Sequence, residues 1–127
     1  VYRIENSLMS TKYMYSLIFA IEENNIEKVK TLLSLKKENP AYNKNYVIGV
    51  SAEAGCLDIV KLLLEDSRVD PSDDNNYAIK LAHKNKYTNI VEILWNEKCV
   101  KNTLKQDNLE LYNNLMRKDI KNKVDEF

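Results

Sequence analysis

The chain has 127 residues, a formal net charge of zero and 30% charged residues, which suits one domain with an ordinary solvated surface. Its 19 basic and 19 acidic residues give it no general attraction to nucleic acid or to an anionic membrane. The cysteines, Cys56 and Cys99, are too few and too far apart for a disulfide framework or a metal-binding motif. We therefore expect free thiols and residence in the reducing cytoplasm.

An apolar pattern recurs three times along the chain at an interval of 31 residues, each time opening with a tyrosine. A period of about thirty residues with two short apolar segments is typical of a stacked array, in which no unit can bury its own apolar face. The equivalent positions are Tyr15, Tyr46 and Tyr77; Leu17, Ile48 and Ile79; Phe19, Val50 and Leu81; Val29, Val60 and Val91; and Leu32, Leu63 and Leu94.

The middle unit predicts a helix, a tight turn and a second helix. Small and apolar residues occupy 47–52, Gly55 can take the positive φ that ends a helix, and 57–64 is a second, more apolar segment. Small side chains at Ala20, Ser51 and Ala82 favour a close approach of neighbouring first helices. Lys86 stands where Gly55 stands one unit earlier; if the third turn also needs a left-handed residue, the lysine is strained there, and the alternative is a turn built differently from the middle one.

The segments 36–45 and 67–76 connect the units. They are polar, carry Pro40 and Pro71 at equivalent positions and lack a helical period, so we expect extended turns, or fingers. Asp and Asn residues at 73–76 suit turn conformations, and the last of them can cap the next helix.

The repeat register weakens after Glu97. Asp107 and Glu110 have the spacing of a capping box, and the apolar residues that follow have a helical period. We therefore predict a C-terminal cap of one long helix or two short ones on the third unit, against which Trp95 packs. The predicted organisation is a lead-in at 1–14, repeats at 15–45, 46–76 and 77–106, and a cap at 107–127.

Residues 54–64, AGCLDIVKLLL, resemble the second-helix signature of the ankyrin repeats, and 24–33 and 86–94 are weaker copies. The family's Thr-Pro-Leu-His opening is replaced at 46–49 and 77–80. The resemblance implies an all-α solenoid of about three helix-turn-helix repeats with a helical cap. The run RVDPSDDNNYAI at 68–79, the tail NLELYN at 108–113 and an abundance of Asn and Lys look similar to the ankyrin proteins of giant DNA viruses of amoebae.

Nothing in the chain has the pattern of a catalytic, cofactor or metal site. There is one histidine, His83, and no Gly-rich phosphate loop or paired Cys-x-x-Cys, so we expect no enzyme, no cofactor and no metal. Cys56 opens a second helix; a turn filler is the preferred interpretation, and an activated thiol the alternative. For the recurrent tyrosines we prefer a stacked ladder between fingers, with a ligand-facing row as the alternative.

The ankyrin resemblance implies a partner-binding inner face of finger tips and the exposed side of the first helices. Charge is uneven along the array, since 50–76 has seven acids and two bases and 80–105 has two acids and six bases. The predicted partner-binding residues are Glu22, Glu23, Tyr42, Asn43, Asn45, Glu53, Asp73, Asp74, Asn76, Lys84 and Asn85.

We therefore expect a protein-interaction module that binds a host or viral protein in the cytoplasm, with a basic segment of that partner favoured by the acids. One alternative is an adaptor that recruits a target to a ubiquitin ligase, although no separate ligase-binding box is visible. The other is a nucleic-acid binder, disfavoured by zero net charge. It would use Lys80, Lys84, Lys86, Lys98, Lys101, Arg117, Lys118, Lys121 and Lys123.

Overall fold

A computed structural model describes residues 2–36 and 38–125, with side chains from Ser10 onward. The first residue of the predicted lead-in, residue 37 in the first predicted connection and the last two residues of the predicted cap lie outside these ranges. Within them the chain is helical, without a strand. The helices are α1 (Tyr2–Glu22), α2 (Ile26–Leu33), α3 (Tyr42–Glu53), α4 (Leu57–Glu65), α5 (Asp73–Lys84), α6 (Thr88–Trp95), α7 (Lys98–Asp107) and α8 (Leu109–Asp125).

Three helix pairs stack side by side. The first helices α1, α3 and α5 contact one another in order, and the second helices α2, α4 and α6 do the same behind them. The prediction of an all-α solenoid is confirmed. The lead-in continues into α1 without a break, and its Tyr13 and Met14 are buried. None of the described helices combines the length and the apolar character that crossing a membrane requires.

The core lies between the first and second helices and repeats with the sequence. Ala20, Ser51 and Ala82 are completely buried, as expected where first helices approach closely. The Ser51 hydroxyl donates to the carbonyl of Val47 at 2.9 Å, so its burial leaves no unsatisfied polar group. Phe19 is 57% exposed, whereas its equivalents Val50 and Leu81 are half-buried, so this repeated position is not a uniform part of the core.

The three turns inside the units are the same. The second residue after each first helix has a positive φ: 51° at Asn24, 76° at Gly55 and 63° at Lys86. In each unit the next amide donates to the carbonyl of the small buried residue, at 2.8 Å to Ala20, 3.0 Å to Ser51 and 2.9 Å to Ala82. These bonds are those of a Schellman motif. The predicted left-handed conformation of Lys86 is confirmed.

Both fingers end in an unusual left-handed turn. Three consecutive residues, 43–45 in one finger and 74–76 in the other, have φ between 54° and 59°. The turn is rich in Asn and Asp because these residues tolerate this region better than other L-residues. Regular helix therefore begins at Tyr46 and Tyr77, where the sequence places it.

The C-terminal part departs from the repeat. The register of the fingers falls on 98–107, but this segment is helix α7, with Val100 and Leu104 buried. Asn102 stands where the fingers have proline, so nothing prevents helical hydrogen bonding. The pair Val100 and Leu104, four residues apart, was a signal for this helix that the repeat register obscured.

The predicted cap is one long helix docked on the third unit. Trp95 Nε1 donates to Asp119 Oδ2 at 2.6 Å, and the rings of Trp95 and Tyr112 meet edge to face at 5.7 Å. The predicted packing of Trp95 against the cap is confirmed. The capping position is off by one residue, because Asn108 Oδ1 accepts from the amide of Leu111 at 3.1 Å whereas Asp107 ends α7.

An arginine fastens the connection between the first and second units. Arg68 donates to the main-chain carbonyls of Leu33, at 3.1 Å, and of Glu38. Asp66 holds its guanidinium with two bonds of 2.9 and 2.7 Å. This hydrogen bonding lowers the pKa of Asp66, since the charged carboxylate is the form that Arg68 stabilises.

Candidate interaction surface

The candidate surface is the inner face, which we define as the fingers and the side of the first helices away from the second helices. At its lower edge, where the first helices end, Glu22, Glu23, Glu53 and Lys84 are exposed. Within the described residues these four make no ion pair. Glu22 and Glu53 are equivalent residues of the first and second units, and Lys84 holds the same position in the third unit. The charge at this position therefore changes from negative to positive along the array.

Three other predicted residues combine surface position with structural contacts. Asn85, exposed, donates from Nδ2 to the carbonyl of Glu53 at 3.0 Å and so ties α5 to α3. The hydroxyl of Tyr42 lies 3.1 Å from Oγ1 of Thr11, and Nδ2 of Asn43 lies 3.9 Å from Sδ of Met14. These contacts hold the first finger against α1.

Asn45 and Asn76 cannot meet a partner, and this part of the prediction is wrong. They are 7% and 0% exposed. Asn45 Nδ2 donates to Asp73 Oδ2 at 2.9 Å, and its Oδ1 accepts from the amide of Asp70 at 2.8 Å. A buried amide needs such partners, so Asn45 joins one finger to the next.

Asn76 is the copy of Asn45 at the end of the array, where α7 replaces the next finger. Its Nδ2 donates to Thr103 Oγ1 at 2.8 Å and to Asp107 Oδ2 at 2.5 Å. Its Oδ1 is buried without a hydrogen-bond partner among the described residues. For Asn45 this partner is the main-chain amide of Asp70, whereas α7 is helical at the equivalent place and has no free amide there. The sequence register alone gave no sign of this burial.

The two predicted finger acids differ. Asp73 is half-buried, and its carboxylate accepts from Asn45 and from the amide of Asp74 at 2.8 Å. Asp74 is exposed. The expectation that both are free surface acids therefore holds for Asp74 only. The carboxylate of Asp73 is used in hydrogen bonds within and between the fingers.

Tyr15, Tyr46 and Tyr77 form what we call the tyrosine row. Tyr15 is 52% and Tyr46 38% exposed; Tyr77 is half-buried, with its ring on α3, where a Cβ atom at Gly49 would lie 2.6 Å from Cδ1 of Tyr77. Among the described residues the paired aromatic rings are those of Trp95 and Tyr112. The predicted stacked ladder is therefore wrong, because the Tyr77 ring packs on backbone.

A family model of ankyrin repeats in three copies matches residues 15–119. The chain belongs to the ankyrin-repeat family. No curated protein and no solved structure matched it. Ankyrin repeats are in general protein-protein interaction modules, and the family is typically non-enzymatic.

The cysteines of this ankyrin-repeat protein lack the environment of a reactive thiol. Burial raises the pKa of Cys56 and that of Cys99, whereas an activated thiol needs a lowered pKa. Cys56 Sγ also lies 3.8 Å from the carbonyl of Ile21. The activated-thiol alternative is wrong. Among the described residues no cluster of His, Cys, Asp or Glu could hold a metal ion.

The basic distal end of the ankyrin array is partly neutralised by its own contacts. Lys118 pairs with Glu92 at 2.8 Å. Lys101 lies 5.2 Å above the centroid of the Trp95 ring and 3.8 Å from Asp119. These two lysines link α8 and α7 to the third unit, and the neighbouring carboxylates offset part of their charge.

Proposed function

We propose that this ankyrin-repeat protein binds a segment of another protein along its inner face and performs no chemistry of its own. The observation that carries the proposal is a set of exposed carboxylates that make no ion pair among the described residues: Glu22, Glu23 and Glu53 lie at the ends of the first helices, and Asp74 lies on a finger. At the ends of the first two first helices the exposed charge is acidic, and such charge favours a partner segment of the opposite sign, through association rate and selectivity more than through total affinity.

The proposed partner is a host or viral protein with a basic segment, met in the cytoplasm of an infected cell. The viral setting is proposed only from the resemblance of residues 68–79 and 108–113 to ankyrin proteins of giant viruses, and the basic segment from the acids of the first two units. Nucleic-acid binding is less well supported, since Lys118 and Lys101 are engaged within the fold. No feature of the chain favours the ligase-adaptor alternative.

Site-specific photo-cross-linking tests the proposal. A photoreactive residue would replace Glu53 on the inner face or, as the control, Lys61, which is exposed on the second helix α4. The protein would then be illuminated in host cells and its adducts identified by mass spectrometry. We expect one protein to be captured from Glu53 and not from Lys61. If a protein were captured from the photoreactive residue at Lys61 and none from that at Glu53, the binding face would lie on the second helices and the proposal would be refuted.

A further inference from the structure

The last helix of the chain, α8, keeps one apolar side in water. Leu109 is 52%, Ile120 57% and Val124 63% exposed, and Met116 between them is half-buried. Residues spaced by seven or four positions lie on the same side of a helix. These four side chains, which we call the α8 stripe, therefore form one continuous apolar surface along the helix.

The α8 stripe faces away from the solenoid. The docked side of α8 is marked by Leu111 and Leu115, which are 3% and 9% exposed, and by the ion pair of Lys118 with Glu92 at 2.8 Å. Five positions separate Leu115 from Ile120, so a helix with 3.6 residues per turn points these two side chains about 140° apart. Docking of the cap on the third unit therefore leaves the stripe accessible.

The charged residues of α8 divide in the same way. On the docked side, Lys118 and Asp119 each have an ion-pair partner in the solenoid. Beside the stripe, Glu110, Arg117 and Lys121 are exposed, and within the described residues none of the three makes an ion pair. Their spacing of seven and four residues places them on one flank of the stripe, which begins acidic and continues basic.

We propose that the α8 stripe binds a second copy of this chain, with the two α8 helices antiparallel. In a twofold-symmetric antiparallel pair each flank faces the same flank of the other copy. When Leu109 lies against Ile120 of the second copy, Glu110 lies between Arg117 and Lys121 of the second copy, about 3 Å along the axis from each. The twofold axis repeats this contact, so every charge on this flank meets an opposite one.

The overall charge and the size of the stripe also fit a pair of identical chains. The formal net charge is zero, so two copies approach each other without general repulsion. One helix side is small compared with the interfaces of permanent dimers, so we expect a weak dimer that forms as the concentration rises. None of the stripe residues belongs to the inner face. The dimer therefore carries two inner faces, which together bind a partner with repeated segments more tightly than one does.

The apolar contact is tested by sedimentation of the full chain over about a hundredfold range of concentration. We expect the mass to rise from monomer to dimer, and the melting temperature to rise with it. Ile120→Glu should weaken dimerisation about tenfold or more, because it places a charge at the contact in both copies. Leu35→Glu is the matched control, since Leu35 is 46% exposed away from α8, and it should leave dimerisation unchanged.

A charge exchange tests the antiparallel order. Glu110→Lys makes the flank of the stripe entirely basic, and the double change Arg117→Glu with Lys121→Glu makes it entirely acidic. Each variant alone should dimerise more weakly than the unchanged chain, whereas a mixture of the two should form a mixed dimer. If the mixture associates no better than the separate variants, the antiparallel arrangement is overturned.

Further outcomes decide between a second copy and another occupant. All variants should have the same circular dichroism as the unchanged chain at low concentration, because the substituted side chains are exposed. A chain that stays monomeric over the whole range overturns the proposal. If that monomer sediments with anionic phospholipid vesicles and Ile120→Glu does not, the stripe binds a membrane surface instead. The inner face takes no part in these measurements, so this inference fails or holds separately from the proposed function.

Discussion

Replacing Lys86 by glycine should stabilise the protein. Lys86 ends the first helix of the third unit at φ 63°, and left-handed backbone costs an ordinary L-residue roughly 1–2 kcal/mol. Glycine removes this strain but adds freedom to the unfolded chain, at a cost of roughly 0.5–1 kcal/mol. The midpoints of these two ranges leave a net gain of about 0.75 kcal/mol, between extremes of about 0 and 1.5 kcal/mol.

The other two turns supply matched controls. Asn24 has φ 51°, and because Asn tolerates this region, Asn24→Gly should gain less than Lys86→Gly. Gly55→Ala should be destabilising for two reasons: φ is 76°, and the added Cβ would lie 2.7 Å from Cζ of the Tyr87 ring. Lys86 is exposed, so its replacement by glycine removes no buried side chain.

The variants would be compared by thermal and urea unfolding, followed by circular dichroism. For a chain of this size, about 0.75 kcal/mol corresponds to a rise in Tm of about 2–4 °C. If Lys86→Gly lowered the Tm while Asn24→Gly raised it, left-handed strain at Lys86 would be refuted, and the lysine side chain would have to contribute more than its backbone costs.

Three further results are expected. Leu63→Ala should cost about 2–5 kcal/mol in the free energy of unfolding, because Leu63 is fully buried; an unchanged urea midpoint would contradict this. The fragment 1–107 should unfold at lower temperature or aggregate, because it exposes Trp95; an equally stable soluble fragment would show that α8 is dispensable. Asp66 has a lowered pKa in the fold, so its stabilisation is present above its unfolded pKa and is lost as pH falls through the folded one. Asp66→Asn should therefore lower stability at pH 7 and flatten its decline below about pH 4. A decline as steep as in the unchanged protein would refute the role of this pair.

The sequence by itself determined the units of the fold. A regular period fixes which residues are equivalent, and local chemistry then fixes what each copy does. That is why the positions of the helix pairs, the small residues at Ala20, Ser51 and Ala82, and the left-handed turn at Lys86 could be predicted. The same register also predicted the start of regular helix at Tyr46 and Tyr77 and the docking of Trp95 on the C-terminal cap.

Only the tertiary structure decided what each copy meets. Asn45 and Asn76 are polar finger residues by sequence, yet both are buried, because the next element of the stack covers them. Helix α7 formed where the register places a finger, since Val100 and Leu104 bury themselves and no proline intervenes. Burial depends on the neighbouring unit, and a repeat pattern describes each unit without its neighbours. For this reason Asn45 and Asn76 are not part of the exposed candidate surface, whereas the exposed acids and tyrosines are.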